Sequence, residues 1–299
     1  MHRMGPLLCI LSAAAFGAMA IFGKLAYDDG VAVGDLLLVR FSIAAAVLLA
    51  VAGATGALRG LSRRAVAAPL AMGAIGYATQ SGLFFSALDR MDASLLALVL
   101  YTYPVLVCVA AVALGREPAT VRRVGALVVA SVGVVLVLAG AATGSFDALG
   151  AAMGFGAALA YSAYILIGDR VVGSVPVIGL TALVCTGAAA TFAVAAVFRG
   201  APYLSFGVEG LGWIGAIALV STVGAILMFF AGLARVGPST AAILSVFEPV
   251  VTVALAAAAF GESLAVVQLV GGGLVLVAVV VLQWPGEVSA RLRDAPACA

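Results

Sequence analysis

The chain reads as an all-α membrane protein in which ten transmembrane helices form two inverted five-helix repeats. Three observations predict this. The first is composition: 65% of the 299 residues are hydrophobic and 9% are charged, against roughly 25% charged in a soluble domain. The second is internal similarity at a constant offset of 145 residues. Tyr103-Pro104-Val105 and Gly115-Arg116-Glu117 fall onto Glu248-Pro249-Val250 and Phe260-Gly261-Glu262. The same offset pairs Arg90 with Arg235, Ser94 with Ser239, Phe84 with Phe229, Phe85 with Phe230, Phe16 with Tyr161 and Gly23 with Gly168. The third is the distribution of Lys and Arg between the apolar runs.

A spanning helix needs about 20 apolar residues. Breaking the chain at charges and at Gly/Pro clusters predicts spans over 5–26, 35–53, 66–88, 93–114 and 121–140. Further spans are predicted over 147–168, 176–198, 210–233, 239–260 and 264–283. The first run is too long for a signal-peptide core and reads as a retained span. The connections are short. The organisation is therefore a first repeat over 1–140, a second over 147–283 and a polar tail over 284–299.

Orientation follows from the basic residues of the connections. With the first end in the cytoplasm, that side holds Arg3, Arg59, Arg63, Arg64, Arg116, Arg122, Arg123, Arg170, Arg235, Arg291 and Arg293. The other side holds Lys24, Arg90 and Arg199. Both termini and the tail are thus expected in the cytoplasm. Five spans is an odd number, so the second repeat starts on the opposite side of the bilayer and the repeats are inverted. Two similar units facing opposite ways can exchange conformations, opening a central site first to one side and then to the other.

Several classes are excluded. A net charge of +2 is too small to argue for nucleic acid. His2 is the single histidine, which removes imidazole zinc sites, nucleophile–His systems and histidine proton relays. Cys9, Cys108, Cys185 and Cys298 have neither metal-ligand nor redox spacing. No phosphate-binding GxxxxGK[ST] run exists. No catalytic residue, metal or cofactor is expected, and the chain is not read as an enzyme.

Glu248 stands about nine residues into its span, roughly 14 Å at 1.5 Å per residue. A carboxylate so deep must be neutral, paired or facing water. It reads either as a cation, amine or proton-coupling contact, or as a structural partner for the backbone gap left by Pro249. Arg40 lies about five residues, roughly 8 Å, inside Asp35. It reads either as a carboxylate contact or outer-gate pair, or as an anchor that snorkels to the surface. Pro104 and Pro249 interrupt matching spans, where bent helices mark binding sites and hinges.

Tyr77, Gln80, Ser81 and Phe84 share one helical face of span three, and lipid disfavours its amide and hydroxyl. Tyr101, Tyr103, Tyr161 and Tyr164 add phenols. Together these residues are expected to line a cavity for a small solute by stacking and hydrogen bonding. Gly125, Gly133 and Gly271-Gly272-Gly273 allow close helix approach, within the chain or in a homodimer.

The paired Pro-Val runs, each followed by an apolar stretch, Gly-Arg-Glu (115–117) or Gly-Glu (261–262), and a Gly-rich span, resemble the paired EamA domains of the drug/metabolite transporter superfamily. Leu-Tyr-Thr-Tyr-Pro-Val (100–105) is similar to the family's fourth span and Phe-Glu-Pro-Val (247–250) to its ninth; Arg40 also matches a common family position. The resemblance covers nearly the whole chain. It implies a multi-pass protein of the bacterial inner membrane that exports small metabolites, such as amino acids, by alternating access. Its partners would be the solute, the lipid bilayer and, through Glu248, protons. Drugs, aromatic cations and nucleotide sugars are alternative cargoes in the same superfamily, and a passive channel is the other mechanism. Nucleotide sugars would want several inward-facing basic residues, and Arg40 alone lies within a span.

Overall fold

The computed structural model describes residues 4–88, 90, 96, 99–139, 147–200, 206–260 and 265–283, and every regular element among them is helical. Helix α1 covers Met4–Asp28 and α2 covers Val33–Thr55. The third segment has three pieces: α3 (Arg63–Ala71), a π-helical turn (Met72–Tyr77) and α4 (Ala78–Leu88). Ser62 starts it by accepting a hydrogen bond from the Ala65 N–H, which satisfies a donor the first helical turn leaves free. Helix α5 (Tyr103–Ala113) and α6 (Val121–Ala139) complete the first half.

The second half repeats the plan. Helix α7 is Ala148–Val171, capped by Asp147, and α8 is Val177–Phe198. Next come α9 (Val208–Ala218), a second π turn (Leu219–Gly224) and α10 (Ala225–Val236). The last are α11 (Pro238–Ser245), α12 (Glu248–Phe260) and α13 (Val266–Gln283). Among the described residues, five helical stretches are long and apolar enough to cross a membrane: Met4–Asp28, Val33–Thr55, Ala148–Val171, Val177–Phe198 and Val208–Val236. Gly261, Glu262 and the tail over 284–299 lie outside the described residues.

Two sequence expectations change in detail. Spans three and eight are not plain α-helices, because each carries a π turn near its middle. Pro249 does not merely bend span nine. The helix stops at Ser245, turns at Val246–Phe247 and restarts with Glu248 as its first residue and Pro249 as its second. Pro104 takes the corresponding place in α5, after a turn at Tyr101–Thr102. Proline suits the first turn of a helix, where its missing N–H costs nothing.

Helices α6 and α13 lie side by side, as do α2 and α8. Helix α1 packs against α10 and α12, and α7 packs against α4 and α5. Shifting by 145 residues turns the first of these sets into the second. Gly133 shows why small residues recur: a Cβ there would meet the Gly271 carbonyl oxygen at 2.7 Å. Those two glycines are therefore spent on packing within the chain. Gly73 and Gly187 do the same where the first π turn crosses α8, each facing bare backbone of the other segment.

Among the described residues, several polar side chains within the apolar segments are buried, while many large aliphatic side chains are exposed. Val109, Val121, Val128, Leu269, Val270 and Val277 are exposed, whereas Arg40, Ser12, Ser81, Ser162, Thr181, Ser221, Thr222 and Ser239 are buried. That inside-out pattern fits hydrocarbon as the solvent, where a polar outer face would be unsatisfied.

Candidate functional site

One cavity of about 80 Å³ brings together residues from both halves of the chain. Its wall contains Arg40 from α2; Tyr77, Gln80, Ser81 and Phe84 from the π turn and α4; Tyr101 and Tyr103 at the break before α5; Tyr161 from α7; and Glu248 at the start of α12. The i, i+3, i+4, i+7 face of span three thus lies along one wall. Tyr164 does not reach the cavity. It is buried behind Tyr77, stacked on that ring with centroids 5.4 Å apart, and it backs the wall instead of forming it.

Phe16, Met19, Phe85 and Leu100 also line the cavity, and no site reading of the sequence had picked them. A signal existed, since Phe16 is the repeat partner of Tyr161 and Met19 of Tyr164. The wall is therefore aromatic on both sides of the repeat. Tyr103 stacks obliquely on Tyr161 at 4.7 Å and lies 5.9 Å from Tyr101. Among the described residues the buried Tyr103 hydroxyl has no hydrogen-bond partner. A buried polar atom left orphaned costs about 1–3 kcal/mol, and one in a cavity wall is poised to be satisfied by what enters.

Glu248 owes its position to the break in the ninth segment. As the first residue of α12 it sits where a helix presents its positive end, which favours a carboxylate there. Tyr101 lines the same cavity. Glu248 thus stands both at a helix start and in the cavity wall. Its backbone is clamped by α1. Gly17 lies against the Glu248 carbonyl, where a Cβ would come within 2.8 Å, and the Thr252 hydroxyl donates to the Gly17 carbonyl at 3.1 Å. In the other half the Ser162 hydroxyl approaches the Tyr103 carbonyl at 3.4 Å, and Ser162 and Tyr103 are the repeat partners of Gly17 and Glu248.

Arg40 does not snorkel to the surface. It is 1% exposed. Its Nε donates to the Thr222 hydroxyl at 2.7 Å and its Nη2 to the Tyr77 hydroxyl at 3.1 Å. Thr222 in turn donates to the Ile217 carbonyl at 2.9 Å, a carbonyl inside the second π segment's own helix. The guanidinium carbon lies 4.8 Å over the Phe41 ring. The outer-gate pair therefore has no support: Arg40 meets no carboxylate within ion-pair distance among the described residues.

The flanks of the cavity differ. At the end of α5, Arg116 donates from Nη1 to the Leu166 carbonyl at 2.6 Å and stands 3.9 Å from Asp169, tying α5 to α7. Between α1 and α12 lies an apolar space of about 320 Å³ lined by Ala18, Ile21, Phe22, Leu255 and Ala258.

Comparison with known proteins fits this architecture. Residues 3–139 and 148–284 each match the EamA-like transporter family. The chain is 25% identical over 198 residues to an uncharacterized transporter, YcbK, of Bacillus subtilis (strain 168), a match spanning 64% of this chain and 64% of that relative. A solved crystal structure at 20% identity superposes with a TM-score of 0.83, covering 95% of this chain and 99% of that one, a likeness of fold.

Proposed function

As the chain belongs to the EamA-like transporter family, we propose that it is a ten-span secondary transporter that exports small metabolites, amino acids or related compounds, by alternating access. The solute enters a central cavity between two inverted repeats, over 1–140 and 147–283, from a cytoplasm that holds both termini. The membrane is the bacterial inner membrane.

The observation that carries this reading is the cavity itself. Residues of both halves place a buried cation, a carboxyl group and a cluster of phenols around one space. A solute with a charged head and an apolar or aromatic body matches that lining. The exchange of contacts between the halves supports the inverted repeat. The breaks before Pro104 and Pro249, in matching places of the two halves, support a mechanism in which the halves rock about these two points. Glu248 is the proton-coupling candidate, since a carboxyl in a cavity wall can load and release a proton as the access side changes.

A panel of radiolabelled amino acids and aromatic cations in proteoliposomes, with and without a pH gradient, tests the reading. Saturable counterflow of amino acids is expected. Flux that never saturates would indicate a channel, and counterflow of the cations alone would move the cargo to the drug class.

A further inference from the structure

Arg40 is underused where it sits. A guanidinium carries five N–H donors. Two of them reach neutral hydroxyls, at Tyr77 and Thr222, and Nη1 makes no hydrogen bond among the described residues. Among the described residues no carboxylate balances the charge within ion-pair distance, and the Phe41 ring offsets it only in part. A charge left so far from water and without a counter-ion is costly to keep, and such a residue inside a membrane marks a pathway for solute or ion. The side chain is not sealed off, because it forms part of the wall of the central cavity.

Its two partners are not arbitrary. Tyr77 ends the first π turn and Thr222 lies within the second, and they stand 145 residues apart, so they are repeat partners. Arg40 itself has no charged counterpart: its repeat partner is Cys185, fully buried. One cation therefore spans the equivalent π turns of both halves. π turns interrupt the regular ladder of a helix and are common at functional sites.

We infer that Arg40 is the docking point for a carboxylate on the transported solute, and that docking is sensed by both halves through the π turns. This rests on the transporter reading above. A planar carboxylate can take paired N–H donors from one guanidinium. Binding there would compete with the weaker neutral acceptors Tyr77 and Thr222 and loosen the tie between the two turns. A dianionic phosphate fits less well, because a single guanidinium would neutralise half of its charge and Glu248 lines the same small cavity. A solute that also carries an ammonium group can meet Glu248, which makes a zwitterion the best match.

The test uses the full-length protein in proteoliposomes. L-phenylalanine and L-leucine compete against L-phenylalaninamide and L-leucinamide, which keep the amine and the apolar body and lose the carboxylate. Wild type should favour each acid over its amide by about tenfold or more, the weight of a charge-assisted hydrogen-bonded pair. Arg40→Gln should bring that ratio close to one. Arg40→Lys, which keeps the charge and loses the fork, should keep the preference with weaker affinity. Thr222→Val should keep the preference too, because the guanidinium remains. Equal competition by acid and amide in wild type, or amides preferred, would overturn the Arg40 assignment while leaving transport intact. Should Arg40→Gln fail to fold, the wild-type ratio and Arg40→Lys still decide. If neither acids nor amides are carried, the amino-acid reading falls together with this one.

Discussion

Gly17→Ala probes the contact that holds the Glu248 backbone in the cavity wall. A Cβ at position 17 would lie 2.8 Å from the Glu248 carbonyl oxygen, 3.1 Å from the Val251 Cβ and 3.2 Å from the Thr252 Oγ1. Ordinary contact begins near 3.4 Å, so α1 and α12 must part by several tenths of an ångström. The nearest atom is backbone and cannot rotate away. Overpacking of this kind costs about 1–3 kcal/mol. Weakening the Thr252–Gly17 hydrogen bond adds about 0.5 kcal/mol, the low end of the usual range, because Thr252 keeps its bond to the Glu248 carbonyl at 3.2 Å. Alanine returns about 1 kcal/mol through its better helix propensity. The net is a loss of about 0.5–2.5 kcal/mol. Gly23→Ala, on the same helix, is the control, since a Cβ there meets nothing within 4 Å and should be neutral or stabilising by up to about 1 kcal/mol. Unfolding titrations in mixed micelles compare the two variants against wild type. The reasoning is refuted if Gly17→Ala proves as stable as Gly23→Ala.

Glu248→Gln should abolish the component of transport driven by a pH gradient and leave solute exchange working; an unchanged pH dependence in proteoliposomes would remove Glu248 from proton coupling. Tyr101→Ala, which strips a phenol from the cavity wall beside Glu248, should raise the half-saturation concentration, and an unchanged value at normal expression would count against the tyrosine lining. Arg116→Ala should loosen the contact between α5 and α7 more than Asp169→Asn does. The hydrogen bond from a charged group to the Leu166 carbonyl is worth about 1.5–3 kcal/mol, and the longer, partly exposed ion pair at most about 1 kcal/mol. Thiol labelling of a cysteine placed at Leu166, which is buried, would report the difference as faster modification in Arg116→Ala, and equal rates in both variants would refute the ranking.

Much of the site could be read from the chain because membrane burial makes polar residues conspicuous. In a segment that must satisfy hydrocarbon, Gln80, Ser81, Arg40 and Glu248 stand out, and helical spacing groups Tyr77 with Phe84. The apolar half of the wall was silent for the same reason: Phe16, Met19, Phe85 and Leu100 look like any lipid-facing or core residue until the repeat is used to pair them. Tyr164 was grouped with the cavity by residue type, yet its ring turns behind Tyr77, a choice that depends on rotation of α7 against α4.

The sequence alone determined the membrane class, the 145-residue duplication, the helical segments and the polar residues that hydrocarbon would reject. These follow from local rules of hydropathy, period and proline geometry. Only the tertiary structure decided that Arg40 turns inward and joins Tyr77 to Thr222, that the third and eighth segments each contain a π turn, and that the ninth breaks to place Glu248 at a helix start. Those outcomes depend on how helices distant in sequence share one space. Two hydroxyls 145 residues apart become partners of a single guanidinium only when the two halves are packed together.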